Sequence, residues 1–137
     1  MTKRTLLLSI TVAILAVVSA CNRAADTSNL KEIQKQRSGE YVVSLLNDSG
    51  QLKQGKNDFV LEVREASDNQ LVDVGAIQAS TSMPMPGTAN MVGEMSVSPS
   101  GTKGRYNVSS TLPMQGQWTT ALTFQNGQKT QFALRTQ

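Results

Sequence analysis

The strongest constraint on the fold is a period-two alternation of apolar and polar side chains from residue 40 to the C-terminus. Phe59, Leu61 and Val63, for example, alternate with Asp58, Glu62 and Arg64, as in a strand with one buried face. Turn-forming segments such as Pro99-Ser100-Gly101 separate these stretches, and no segment carries the apolar spacing of an amphipathic helix. We predict seven strands, at 41–46, 58–64, 74–85, 91–97, 105–111, 118–124 and 130–134.

Seven short strands at this spacing are typical of an immunoglobulin-like β-sandwich, with a small barrel as the alternative. Trp118 is the only tryptophan and is expected to be the central aromatic residue of the core. The predicted fold class is therefore all-β, with the sandwich domain extending over residues 40–137.

Residues 1–20 have the features of a bacterial lipoprotein signal peptide. Lys3 and Arg4 are followed by an uncharged run, Thr5–Ala20, of 16 residues. A transmembrane helix needs about 20 apolar residues, so export is favoured over a membrane span. The run ends in Val18-Ser19-Ala20-Cys21, which resembles a lipobox.

Cys21 is the only cysteine, so no internal disulfide can form. One interpretation is that Cys21 is merely a small residue near a secretory cleavage site. A lone exported thiol would be prone to oxidation, however, whereas acylation with palmitate-type chains removes it. We expect cleavage before Cys21 and anchoring in the lipid bilayer through the acylated cysteine. Asn22 resembles an outer-membrane sorting signal, which predicts a periplasm-facing outer-membrane location in a Gram-negative cell and surface display in a Gram-positive one.

Residues 21–39 are polar and charged, and we predict a flexible lipidated tether there. Beyond residue 20 the chain has 11 basic residues, the 13 of the whole sequence less Lys3 and Arg4, against 10 acidic ones. No basic cluster with interleaved aromatic residues is present, so a nucleic-acid partner is not expected. The absence of histidine excludes catalytic triads and histidine-based zinc sites. No nucleophile–base spacing suggests an enzyme.

Five methionines remain after the signal peptide, and all lie within a window of 32 residues: Met83, Met85, Met91, Met95 and Met114. The methionine side chain ends in a soft, neutral thioether, which prefers Cu(I) to harder cations. The cluster therefore predicts a Cu(I) site. Two alternatives stay open, because methionine also fills irregular core gaps and also forms adaptable interaction surfaces.

The spacing predicts how these methionines would meet. In Met83-Pro84-Met85-Pro86-Gly87, each methionine precedes a proline and is held extended, so both side chains share one face. A turn over Pro86–Asn90 would place Met91 opposite Met85 and Met95 opposite Thr81, away from the others. Met114 begins another strand and is expected to close the site.

Over about residues 40–134 the chain resembles the YtkA-like family, which is related to FixH-type proteins. The resemblance is carried by five segments: Gly55–Val63, Val74-Gly75-Ala76, Met83–Gly87, Gly104-Arg105-Tyr106 and Met114-Gln115-Gly116-Gln117-Trp118.

The resemblance implies an immunoglobulin-like sandwich in exported or membrane-tethered proteins that handle copper. These proteins act beside heavy-metal efflux systems or in the assembly of respiratory oxidases. Met83, Met85 and Met114 fall on the family's methionine positions, and Met91 approximates a fourth. Members often add histidine, and its absence here favours Cu(I) over Cu(II).

The predicted function is a non-enzymatic, membrane-anchored module that binds copper as Cu(I) reversibly. Met83, Met85 and Met91 would be ligands, with Met114 as a fourth and Met95 as an outlying candidate. The alternative is an adaptor lipoprotein whose Pro/Met hairpin binds a membrane complex without metal.

Overall fold

The computed structural model describes residues 27–137. The predicted signal peptide, the predicted lipidation site Cys21 and residues 22–26 therefore lie outside the described residues. The described part contains eight strands: β1 (Lys31–Ser38), β2 (Tyr41–Asn47), β3 (Gly55–Glu65), β4 (Ile77–Met83), β5 (Met91–Pro99), β6 (Arg105–Leu112), β7 (Gly116–Phe124) and β8 (Lys129–Thr136). None of its segments is a helix long and apolar enough to cross a membrane.

The strands pair antiparallel in the order β1-β2-β3-β6-β5-β4-β7-β8. Strands β1, β2, β3 and β6 form one layer, and β4, β7 and β8 form the other. Strand β5 belongs to both, since its first residues pair with β4 and the rest pair with β6. The predicted all-β, immunoglobulin-like sandwich is confirmed, and the seven predicted strands are β2 to β8.

The core lies between the two layers. In β8, exposed and buried residues alternate strictly, so that Thr130, Phe132 and Leu134 point inward. Trp118 is fully buried, which confirms its prediction as a core aromatic residue. Tyr41 and Phe124 contact edge to face, with ring centroids 5.9 Å apart.

Strand β1 corrects the predicted extent of the tether. Residues 31–38 pair with β2 along its whole length, from Lys31 opposite Asn47 to Ser38 opposite Tyr41. The predicted domain start at residue 40 is therefore too late. Most side chains of β1 are exposed, and Ile33 is the one apolar residue that packs against the core.

The far end of β1 is also fixed to the opposite layer. The Ser38 hydroxyl donates to the Lys129 carbonyl (3.0 Å), and the Gln128 amide donates to the Ser38 carbonyl (2.6 Å). This strand is held by backbone pairing and hydrogen bonds more than by apolar burial.

Because consecutive strands run in opposite directions, every second connection between strands lies at the same end of the sandwich. It carries residues 48–54, 84–90 and 113–115, together with the first residue of β1 and the last of β8. Gln54 donates to the Pro113 carbonyl (2.8 Å), and Leu52 bridges to Thr136. We call this the methionine end, since it holds the 84–90 and 113–115 connections.

Candidate functional site

Strands β4 and β5 place Met83 directly opposite Met91. The predicted register, with Met91 opposite Met85, is wrong by two residues. The ladder ends at Met83 because Pro84 and Pro86 have no N–H to donate, so the connection takes in all of residues 84–90.

Met83 and Met91 share the inward face of the sandwich. Met83 is 8% exposed and belongs to the core, while Met91 is half-buried and packs against it. Directly opposite residues in such a ladder have Cβ atoms about 4.5–5.5 Å apart. Each thioether can therefore reach the other through its own flexible side chain.

The third component is the start of β7, directly after the β6–β7 connection, which packs on Met83 through Gly116. A Cβ at Gly116 would lie 2.8 Å from the Met83 Cε and 3.5 Å from its Sδ. Gly116 also has a φ of +138°, which side-chain-bearing residues rarely adopt. The glycine thus lets the backbone lie against the Met83 thioether, two residues from Met114.

Met114 is held in position by its own carbonyl. That oxygen accepts hydrogen bonds from the Trp118 indole N–H (3.1 Å) and from the Thr136 hydroxyl (3.1 Å). Its side chain is 39% exposed. The three methionines therefore grade from buried Met83 through half-buried Met91 to exposed Met114.

The remaining two methionines differ in position. Met85 lies in the 84–90 connection, is half-buried and packs against the core. Met95 lies four residues beyond Met91, about 13 Å along the strand, and pairs with Ser110 of β6 instead of facing Thr81. Thr81 instead faces Gly93. Met95 is thus on the part of β5 that has joined the other layer.

The described residues contain no alternative metal site built from histidine, cysteine or carboxylate ligands. Within residues 27–137, no three His, Cys, Asp or Glu side chains come together in an arrangement that could hold a metal ion. The ligands predicted at the methionine end are neutral thioethers, the class that matches Cu(I).

Charged residues instead form a network on the outer face of the first layer. The Glu62 carboxylate accepts from the Arg64 Nε (2.6 Å) and the Arg105 Nε (2.9 Å). Burial alone would raise the pKa of Glu62, but the hydrogen bonds and charges of the two arginines outweigh it and lower that pKa. This network lies toward the end of the sandwich opposite the methionine end. Its ion pair between Glu62 and Arg105 joins β3 to β6.

A second polar group lies at that opposite end. The Tyr106 hydroxyl donates to Asp73 (3.0 Å) and accepts from the Val74 N–H (3.1 Å), beside a surface cavity of about 380 Å³. Burial raises the pKa of Tyr106, and the Gly75 N–H lowers the pKa of Asp73. None of the five methionines lines this cavity.

Sequence reasoning found the methionines but missed the residues that arrange them. The packing of Gly116 on Met83 and the Thr136 hydroxyl bond to Met114 were not predicted. The signal available for Gly116 was a glycine between the candidate ligand Met114 and the predicted core residue Trp118. Thr136 has no local signal, because its role depends on a strand partner 20 residues away, Gly116.

Comparison with known proteins gives a family for this architecture. A family model described as YtkA-like matches residues 33–123. The crystal structure of the Lin-41 filamin domain is similar at 18% identity and a TM-score of 0.46, covering 68% of this chain and 91% of that one. None of the curated proteins matches the chain.

Proposed function

The chain belongs to the YtkA-like family, and on this premise we propose that it is a membrane-anchored lipoprotein module that binds Cu(I) reversibly. The supporting observation is the direct cross-strand pair of Met83 and Met91. Met85 would complete a set of three thioethers, and Met114 would act as a fourth ligand from the β6–β7 connection. Met95 is the least suited, because it lies on the other layer.

The graded burial of the site suits a carrier. A buried Met83 would hold the ion away from water, while the exposed Met114 gives a partner access to it. Neutral thioethers do not compensate the charge of the ion, so a site with thiolate or imidazole ligands can take it over. The partners would then be a heavy-metal efflux system or a respiratory oxidase assembly system, in the cell envelope.

A competition titration tests the metal site. The full chain in detergent is titrated with Cu(I) under reducing conditions against a chromogenic Cu(I) chelator. We expect the triple variant Met83→Leu, Met85→Leu, Met91→Leu to lose competition with the chelator. Leucine conserves volume and costs less than about 1.5 kcal/mol per site, so the fold should persist.

Met95→Leu is the matched control, since it removes a thioether from the same strand but from the other layer. It should compete as the parent chain does. Trp118 fluorescence reports whether each variant remains folded. Unchanged competition by the triple variant would exclude this site.

A second candidate function is supported by one surface feature. Val92, next to Met91, is 75% exposed, and Pro84 and Pro86 are exposed nearby. Such an apolar surface favours an adaptor that docks on a membrane complex without metal. The adaptor function would be favoured by two results together. The parent chain would not bind Cu(I) but would form cross-links to a membrane protein, and a Val92→Asp variant would lose those cross-links.

A further inference from the structure

The chain enters the sandwich at the methionine end. Strand β1 begins there, with Lys31 opposite Asn47, the last residue of β2. The Met83–Met91 pair and the connection that carries Met114 lie at the same end. The proposed metal site and the attachment point of the lipid anchor are thus on one side of the domain.

The length of chain between the anchor and the domain limits how the domain can turn. Only residues 22–26 lie between Cys21 and Thr27, the first described residue. The six Cα–Cα steps from Cys21 to Thr27 span at most about 20–22 Å when fully extended. Thr27 is itself tied into the turn before β1, since its carbonyl accepts from the Leu30 N–H (3.1 Å).

The long dimension of the sandwich exceeds this reach. Strand β5 has nine residues and β3 has eleven, which corresponds to roughly 30–36 Å at about 3.3 Å per residue. If the opposite end faced the bilayer, the connecting segment would have to run back along the whole domain. The segment is shorter than the long dimension of the sandwich, which favours the orientation with the methionine end toward the bilayer.

The surface of the methionine end agrees with this orientation. Val92 and Met114 are the exposed large apolar side chains of residues 27–137, and both lie at or next to this end. Apolar side chains grouped on one side of a domain mark a contact with a membrane or with another protein.

We propose that the domain stands on the membrane with its methionine end toward the bilayer, where its metal partner is an integral membrane protein. This inference rests on the proposed lipid anchor and Cu(I) site. As a consequence, a bulky, freely diffusing carrier has poor access to Met83, Met91 and Met114. The metal-binding groups of a membrane protein can reach the site when they lie within about 20 Å of the lipid headgroups.

Energy transfer to labelled lipids tests the orientation without any metal. The acylated full chain is reconstituted in vesicles of phosphatidylethanolamine and phosphatidylglycerol that contain an acceptor-labelled lipid. A donor dye is attached through Thr88→Cys at the methionine end or through Ser67→Cys at the opposite end, both exposed positions. We expect higher transfer from Thr88→Cys, and equal or reversed transfer would overturn the proposal.

Metal release tests the consequence. Cu(I) is removed from the vesicle-bound chain either by a small chelator or by the same chelator coupled to a large dextran. We expect the dextran form to act more slowly. Inserting 30 Gly/Ser residues after Asp26, which adds an average reach of about 30 Å, should remove that difference.

The outcomes separate the inference from its premises. Equal rates with both chelators in the parent chain would overturn the membrane-partner part of the inference. Failure to load Cu(I) at all would refute the proposed metal function, while the energy-transfer result would still decide the orientation. Failure of the chain to float with the vesicles would refute the anchor and the orientation with it.

Discussion

Replacing Gly116 with alanine tests the contact that joins the β6–β7 connection to the methionine site. The new Cβ would lie 2.8 Å from the Met83 Cε, closer than nonbonded carbons approach. Met83 is 8% exposed, so its methyl group can move only by disturbing its neighbours in the core. The change should therefore affect both the stability of the domain and the position of the Met83 thioether.

Two contributions set the magnitude. Holding alanine at the φ of +138° costs about 1–3 kcal/mol. Forcing the Met83 side chain away from its rotamer adds about 0.5–1.5 kcal/mol. We expect Gly116→Ala to lower the free energy of unfolding by about 1.5–4.5 kcal/mol in total. Cu(I) competition should weaken as well, because the Met83 thioether is displaced from its position against Gly116.

Gly87→Ala is the matched control, since Gly87 lies at the same end with a φ of +77°, and a Cβ added there would have no atom within 4 Å. It should cost about 1–2 kcal/mol from the backbone alone and leave Cu(I) competition unchanged. Urea denaturation followed by Trp118 fluorescence measures both variants. If Gly116→Ala costs no more than Gly87→Ala, the packing of Gly116 on Met83 is refuted.

Three further predictions concern buried polar groups, each measured by urea denaturation. Glu62→Gln should cost about 1.5–3 kcal/mol at pH 7. The pKa of Glu62 is lowered in the folded state, so the carboxylate contributes less stability as the pH falls below about 4.3 and it becomes protonated. The cost of Glu62→Gln should shrink over that range, and a cost that stays constant would contradict this prediction. Tyr106→Phe leaves the Val74 N–H without its acceptor and should lower the free energy of unfolding by about 1–3 kcal/mol. An unchanged free energy of unfolding would mean that water replaces the hydroxyl. Thr120→Val should cost about 1–3 kcal/mol by stranding Thr81, and adding Thr81→Val should recover part of it.

The strands that sequence reasoning identified share one physical property. Each of β2 to β8 turns one face toward the core, and that face is half-buried in β5 and buried in the others. Burial of one face gives the sequence a period of two. In β6, Tyr106, Val108 and Leu112 are buried while Asn107 and Thr111 are exposed. A pattern of this kind is local, so it can be recognised without knowing the partner strand.

Strand β1 lacks that property. Its sequence, KEIQKQRS, is polar, and only Ile33 among its side chains packs against the apolar core. Its stability comes from pairing with β2 and from the Ser38 contacts across to β8. The Ser38 contact joins segments that are 91 residues apart, and a polar sequence of this composition is equally compatible with a tether.

The local sequence pattern could not determine the register of the β4–β5 hairpin either. Parity correctly placed Met83 and Met91 on one face, but parity is unchanged when the register shifts by two residues. The choice between Met83 and Met85 as the partner of Met91 depends on where pairing stops. The two prolines after Met83 determine that point, because neither can donate to the ladder.

Gly93 explains why the methionine cluster divides where it does. A Cβ there would lie 2.8 Å from the Thr81 side chain and 3.0 Å from the Thr111 carbonyl, so only glycine lets β5 pass this close to β4 and β6 together. Before it, Met91 pairs with β4; after it, Met95 pairs with β6. The change of layer therefore separates Met95 from Met83 and Met91 although all three side chains pack on the same core. Of the five predicted ligands, Met83, Met85, Met91 and Met114 thus remain the stronger candidates for the proposed Cu(I) site.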